Sequence, residues 1–122
     1  MSGFSVDVET WYVVEESVPE DGRYVFGYTV TIANAGDLPG QLLRRHWIIT
    51  DGSGHVEEVR GPGVVGEQPR IEPGQAFRYS SGAVIETPVG VMQGSYEFVR
   101  DDATPFSVAI PAFSLSVPNM VH

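Results

Sequence analysis

The sequence predicts an all-β protein, an antiparallel sandwich of the immunoglobulin or fibronectin type III kind with about seven strands. Apolar residues alternate with polar ones along several stretches, which marks strands with one buried face. Nowhere do they hold a helical period across two turns. The alternating stretches are divided at short intervals by turns rich in Gly, Pro and Asp. At 122 residues the chain reads as one domain, 1–122, long enough to bury well over half of its unfolded surface around a single core.

In the first strand Phe4, Val6 and Val8 alternate with Ser5, Asp7 and Glu9, and the strand is expected to run to about Val14. An acidic turn, EESVPEDG, closes at Gly22. Tyr24, Phe26, Tyr28, Val30 and Ile32 then recur at every second position, making the longest and clearest strand, which should be central. NAGDLPG supplies turn residues that tolerate or preset the required dihedrals. The third strand, Gln41 to Thr50, places Leu43, Arg45, Trp47 and Ile49 on one face and Leu42, Arg44, His46 and Ile48 on the other. Both faces carry large apolar groups, so it should be largely covered, with Trp47 as the packing anchor between sheets.

Asp51-Gly52-Ser53-Gly54 is a hairpin signal that returns the chain through His55 to Arg60 as a fourth strand. Phe77, Tyr79 and Ser81 mark a fifth, extending toward Ile85. ETPVGVMQG reads as a connection and Ser95 to Val99 as a sixth strand. In the last strand the apolar phase changes from Phe106, Val108 and Ile110 to Phe113, Leu115 and Val117. That change predicts a bulge or kink at Pro111, where a strand tolerates proline.

Composition limits the function classes. There is no cysteine, hence no disulfide framework, thiolate metal site or thiol nucleophile, which fits a reducing cytoplasm. The N-terminal MSGFSVDVET places Asp7 and Glu9 where a signal peptide is apolar, and no apolar run approaches the roughly 20 residues of a membrane span. A cytoplasmic location is expected. Sixteen acids against seven arginines and no lysine give a net charge of -9, so nucleic-acid binding is not expected. Arginines and acids balance between Arg44 and Arg70, so the rest of the chain carries the whole excess.

That balanced stretch contains GPGVVG, Gly61 to Gly66, a GxGxxG. The pattern cradles phosphates when a helix follows it, because free helical N–H groups then face the anion. Pro69, Pro73 and Gly74 forbid a helix here. Hairpin arithmetic puts Arg60 opposite residue 44, 45 or 46, so Arg44, Arg45 and Arg60 should gather where the glycine loop begins. Pairing with Glu57, Glu58 or Glu67 would neutralise them locally. Otherwise a phosphate or carboxylate ligand could sit among the arginine forks and the loop amides. The candidate ligand or partner site is therefore Arg44, Arg45, Arg60, Gly61, Gly63, Val64, Val65 and Gly66. Val64 and Val65 are expected either to lid the sandwich or to form an exposed partner-binding patch.

Metal and catalytic chemistry find little support. The same arithmetic places His46 and His55 about 10 Å or more apart, too far to share one ion. The acids at Glu15, Glu16, Glu20, Asp21, Asp101 and Asp102 would attract magnesium or cobalt weakly through solvent, so no dedicated metal or cofactor is expected. There is no GxSxG elbow, and no histidine is placed beside Ser80 or Ser81. The chain reads as non-catalytic. Its oligomeric state, monomer or homodimer, stays open because the sequence does not say which sheet edge is protected.

Five stretches, YVFGYTVTIANAG, QLLRRHWIITDGSG, EVRGPGVVGEQPRIEPG, YSSGAVIETPVGVMQGSYEF and PFSVAIPAFSLSVP, are together similar to the bacterial ApaG family over nearly the whole chain. The resemblance implies an immunoglobulin- or fibronectin-like sandwich and an association with cobalt resistance and magnesium efflux. A chain without a span cannot itself conduct ions, so that role would be indirect. Related domains in F-box and polymerase-interacting proteins look like interaction modules, so a protein partner is expected. The alternative is a binder of a small anion, pyrophosphate or a nucleotide.

Overall fold

A computed structural model describes residues 2–118, so His122 lies outside the described residues. The alternating stretches become eight strands: β1 (Phe4–Tyr12), β2 (Tyr24–Asn34), β3 (Gly40–Asp51), β4 (Val56–Pro62), β5 (Arg70–Ile71), β6 (Ala76–Ile85), β7 (Val89–Val99) and β8 (Pro105–Ser116). Every pairing between them is antiparallel. One layer has the order β1-β2-β6 and the other β4-β3-β7-β8, with β5 added to the start of β3. The chain forms the antiparallel sandwich that its alternation predicts.

β2 is the middle strand of its layer and sends Phe26, Tyr28, Val30 and Ile32 inward. Leu42, Trp47, Tyr96, Phe98, Val108, Ile110 and Leu115 meet them from the other layer. Trp47 is the anchor between sheets: its ring lies 5.4 Å from Tyr28 across the interface and 5.9 Å from Phe113, both edge-on. Edge-to-face pairs of this kind add to what area burial supplies.

One end of the sandwich is closed by Arg100. Its guanidinium lies 4.1 Å from the centroid of Phe106 and donates to the carbonyls of Leu38 and Pro39, both at 3.0 Å, and of Ser2 at 3.1 Å. Asn34, the one buried amide or charged side chain among the described residues, ties the same end by donating to Leu38 and Ile71 carbonyls.

The structure corrects several boundaries. β1 stops at Tyr12, and the acidic connection holds two single 3-10 turns, Val14–Glu16 and Pro19–Asp21. The stretch ETPVGVMQG is mostly strand, since β7 begins at Val89. Its glycines are not turns. A Cβ on Gly90 would stand 2.8 Å from Ile85 Cδ1, and one on Gly94 would collide with the carbonyl of His46. Glycine is there because a neighbouring strand comes too close for a side chain.

In β3, the register shift between Leu42 and Arg44 is a bulge at Leu43. Leu42 therefore turns inward with Arg45, Trp47 and Ile49, not outward as strict alternation requires. The β8 bulge falls where the phase change places it: Met92 pairs with Phe113 and Gly94 with Ile110, leaving Pro111 and Ala112 opposite Gln93 alone.

Candidate functional site

The β3–β4 hairpin sets Arg44 opposite Pro62, Arg45 opposite Gly61 and His46 opposite Arg60. Adjacent residues of a strand point to opposite faces, so the two neighbouring arginines separate. Arg45 turns inward and lies against Gly61, where a Cβ would stand 3.0 Å from both Nη1 and Nη2. Its Nη1 donates to the carbonyls of Pro62 and Gly63, each at 3.0 Å. Arg45 thus latches the glycine loop to the edge of the sandwich.

The loop has its own geometry. The Leu43 carbonyl, presented by the bulge, accepts from the Gly63 amide at 2.8 Å and from Gln68 Nε2 at 3.0 Å. Val64 and Glu67 exchange backbone hydrogen bonds of 2.8 and 2.9 Å around Val65 (φ 43) and Gly66 (φ 81). Positive φ at both central positions is the mark of a type I′ turn. Gly63, at φ 60, has the Glu67 carbonyl where a Cβ would go. The three glycines of GxGxxG thus serve an arginine latch, a close approach and a turn. The two valines part company: Val64 is fully buried in the core, whereas Val65 is 56% exposed.

On the outer face of the same hairpin lies an open groove of about 650 Å³, lined in part by Arg44, His46, Arg60, Gln68, Ser95 and Glu97. Arg44 Nε bonds Glu97 Oε2 at 3.0 Å. Glu58 Oε1 receives both His46 Nε2 at 2.8 Å and Arg60 Nη2 at 3.3 Å. The hydrogen bond from His46, followed by the charge of Arg60, holds the Glu58 carboxyl below its ordinary value. The side chains of Arg44 and Arg60 are 65% and 72% exposed, so these pairs stand in water and can exchange partners.

Behind the hairpin, Tyr79 and Tyr96 share a hydrogen bond inside the sandwich. Burial pushes Tyr79 up to about 12 and raises Tyr96 as well, although the Arg45 charge pulls both down slightly.

Of the predicted site residues, the structure brings Arg44, Arg45, Arg60 and Gly61 to the lining of the groove, where Arg45 is the one committed to the loop carbonyls. Glu97, Ser95 and Gln68 are additions that sequence reasoning missed. The first two alternate with the buried Tyr96 and Phe98 inside the predicted strand Ser95 to Val99, so their outward direction was legible there. Among the described residues no three His, Asp or Glu side chains form a group that could hold a metal ion, and no helix is long and apolar enough to cross a membrane.

Residues 14–100 match the family described as the ApaG domain. A protein ApaG from Enterobacter sp. (strain 638) is 56% identical over 117 residues, 96% of this chain and 94% of that protein. One from Azotobacter vinelandii is also 56% identical, over 96% of this chain and 93% of its own length. The crystal structure of a Bordetella pertussis protein named as ApaA superposes with a TM-score of 0.93 at 49% identity, covering 96% of this chain and 95% of that one. The groove and the latched loop therefore sit on a chain that belongs to the ApaG domain family.

Proposed function

We propose that this chain is a non-catalytic binding module that engages a protein partner through the GPGVVG turn and the neighbouring groove, and that it acts on cobalt and magnesium homeostasis indirectly through that partner. Val65 carries the reading. A β-branched residue at φ 43 is out of place, because its branched side chain crowds the backbone in the left-handed region. A type I′ turn favours Asn-Gly, yet this one holds Val-Gly with the valine exposed. Strain retained at an exposed apolar residue is accounted for by a contact made outside the chain.

The test is Val65→Asn. The fold should gain about 0.5 to 1 kcal/mol in chemical denaturation, since asparagine fits the turn, while capture of the partner from lysate falls. Retained capture would remove the turn from the interface.

A second reading, of a small phosphate- or carboxylate-containing ligand, draws on Arg44, His46 and Arg60 sharing one exposed face. The amides of Gly63 and Val64 are already bonded to backbone carbonyls, so the side-chain forks would hold the anion in place of Glu58 and Glu97. Pyrophosphate titration should then move the amides of residues 44, 46, 58, 60 and 97. Unchanged amides at millimolar pyrophosphate dismiss this reading.

A further inference from the structure

Five strands have a single neighbour; β5 is only two residues long, and three of the other four are blunted. β4 carries Glu57, Glu58, Arg60 and a terminal Pro62 within its seven residues. β8 contains Pro105, Pro111 and the bulge, and it packs against β1, with Phe4 and Phe106 rings 5.5 Å apart. Charge, proline, bulges and cover are the usual protections of an edge.

β6 has almost none of them. Its ladder with β2 runs from Ala33↔Ala76 to Tyr24↔Ile85 without a register shift. Over those ten residues it holds no proline, no acid and a single charge, Arg78. Ser80, Ser81, Gly82 and Val84 are all exposed. Above Gly82 no side chain approaches: the one atom within 4 Å of a Cβ built there is the Phe26 carbonyl oxygen, at 3.2 Å. A bare glycine in a strand admits close approach by another backbone or side chain.

The surroundings define what would pair with this edge. On the outer face the Trp11 ring covers Gly27, so that a Cβ there would strike its Cε2 and Cζ2. Gly27 pairs with Gly82, and Val25 with Val84, so Trp11 and Val84, each 47% exposed, border the space above Gly82. Beside the end of this edge, a cleft of about 240 Å³ between β4 and β6 is lined by Asp51, His55, Val56, Glu57, Val84 and Glu86 among others. It contains three carboxylates and no arginine.

We propose that the free edge of β6 docks an extended basic segment of a partner protein as a fourth strand of the β1-β2-β6 layer. Residues of an added strand alternate between faces. Apolar side chains then lie over Gly82 against Trp11 and Val84, and basic ones enter the cleft toward Asp51, Glu57 and Glu86. A second copy of this chain is a poor occupant, because each carries a net charge of -9 and the cleft is acidic. This inference rests on the interaction-module reading but uses a different face from the glycine turn.

The probe is a capped peptide of alternating valine and lysine, N-methylated on one edge so that it cannot pair with itself. Hydrogen exchange should slow at every second amide between Ala76 and Ile85, a pattern that contact with side chains alone does not produce. The paired reversal Glu57→Lys and Glu86→Lys should weaken binding at least tenfold, and a valine–glutamate peptide should not bind. Absence of alternate protection in β6 overturns the proposal. Protection that appears without peptide and grows with protein concentration overturns it in favour of a second copy. Partner capture that survives the charge reversals but is lost in Val65→Asn leaves the module reading standing and removes only the β6 edge.

Discussion

Tyr79 and Tyr96 place two phenols where water cannot reach them, and each is the other's partner. Burial raises the Tyr79 pKa from 10.0 to about 12 and raises that of Tyr96 as well. The unfolded chain therefore releases these protons first as the solution becomes alkaline. Stability is fully present below about pH 10 and is lost as pH rises through the folded values. Tyr79→Phe strands the Tyr96 hydroxyl and should cost about 1 to 3 kcal/mol at neutral pH. The double change to Phe should recover most of this and flatten the alkaline limb, as read by denaturant titrations between pH 8 and 12. No residue pattern announces such a pair. Both tyrosines stand at ordinary inward positions, and only the packing of β6 over β7 joins them.

At the scale of elements, the latch between Arg45 and the glycine loop joins β3 to the end of β4. Gly61→Val should drive the guanidinium off the Pro62 and Gly63 carbonyls and cost about 2 kcal/mol, measured by urea denaturation. Sequence reasoning located this region through its arginines and glycines, and the hairpin register put Arg60 opposite His46, one of its three options. It could not tell that Arg45 turns inward as a scaffold while Arg44 and Arg60 remain in water. Alternation revealed β2, β6 and the β8 bulge because one face of each is buried and the period is strict. It lost the start of β7, where Gly90 and Gly94 answer to neighbouring strands and not to turns. It also missed β5, whose two residues are too few to show a period.

For the molecule as a whole, one aromatic contact bridges the layers. Trp47→Ala should remove the edge-on packing against Tyr28, Phe113 and Tyr96 and cost about 3 to 5 kcal/mol. Near-ultraviolet circular dichroism and backbone signals should then melt together at a lower temperature, since the layers have no separate core. The outer surface is divided as well. The β3–β4 face balances its arginines against Glu58 and Glu97, while the cleft beside β6 gathers three carboxylates and His55 with no arginine. Raising the salt concentration should therefore weaken a basic partner at the cleft more than an apolar contact at Val65.

The ladder between β2 and β6 also has a consequence in time. Pairing Tyr24 with Ile85 and Ala33 with Ala76 closes a loop that contains all of β3, β4 and β5. Such closures are slow, because chain entropy is lost before the distant contacts form. The outer edge of β6 is thus finished late in folding, and a strand that docks there recognises only chains that have completed the journey. Binding would then act as a check on maturation and, by mass action, hold the finished fold against reopening.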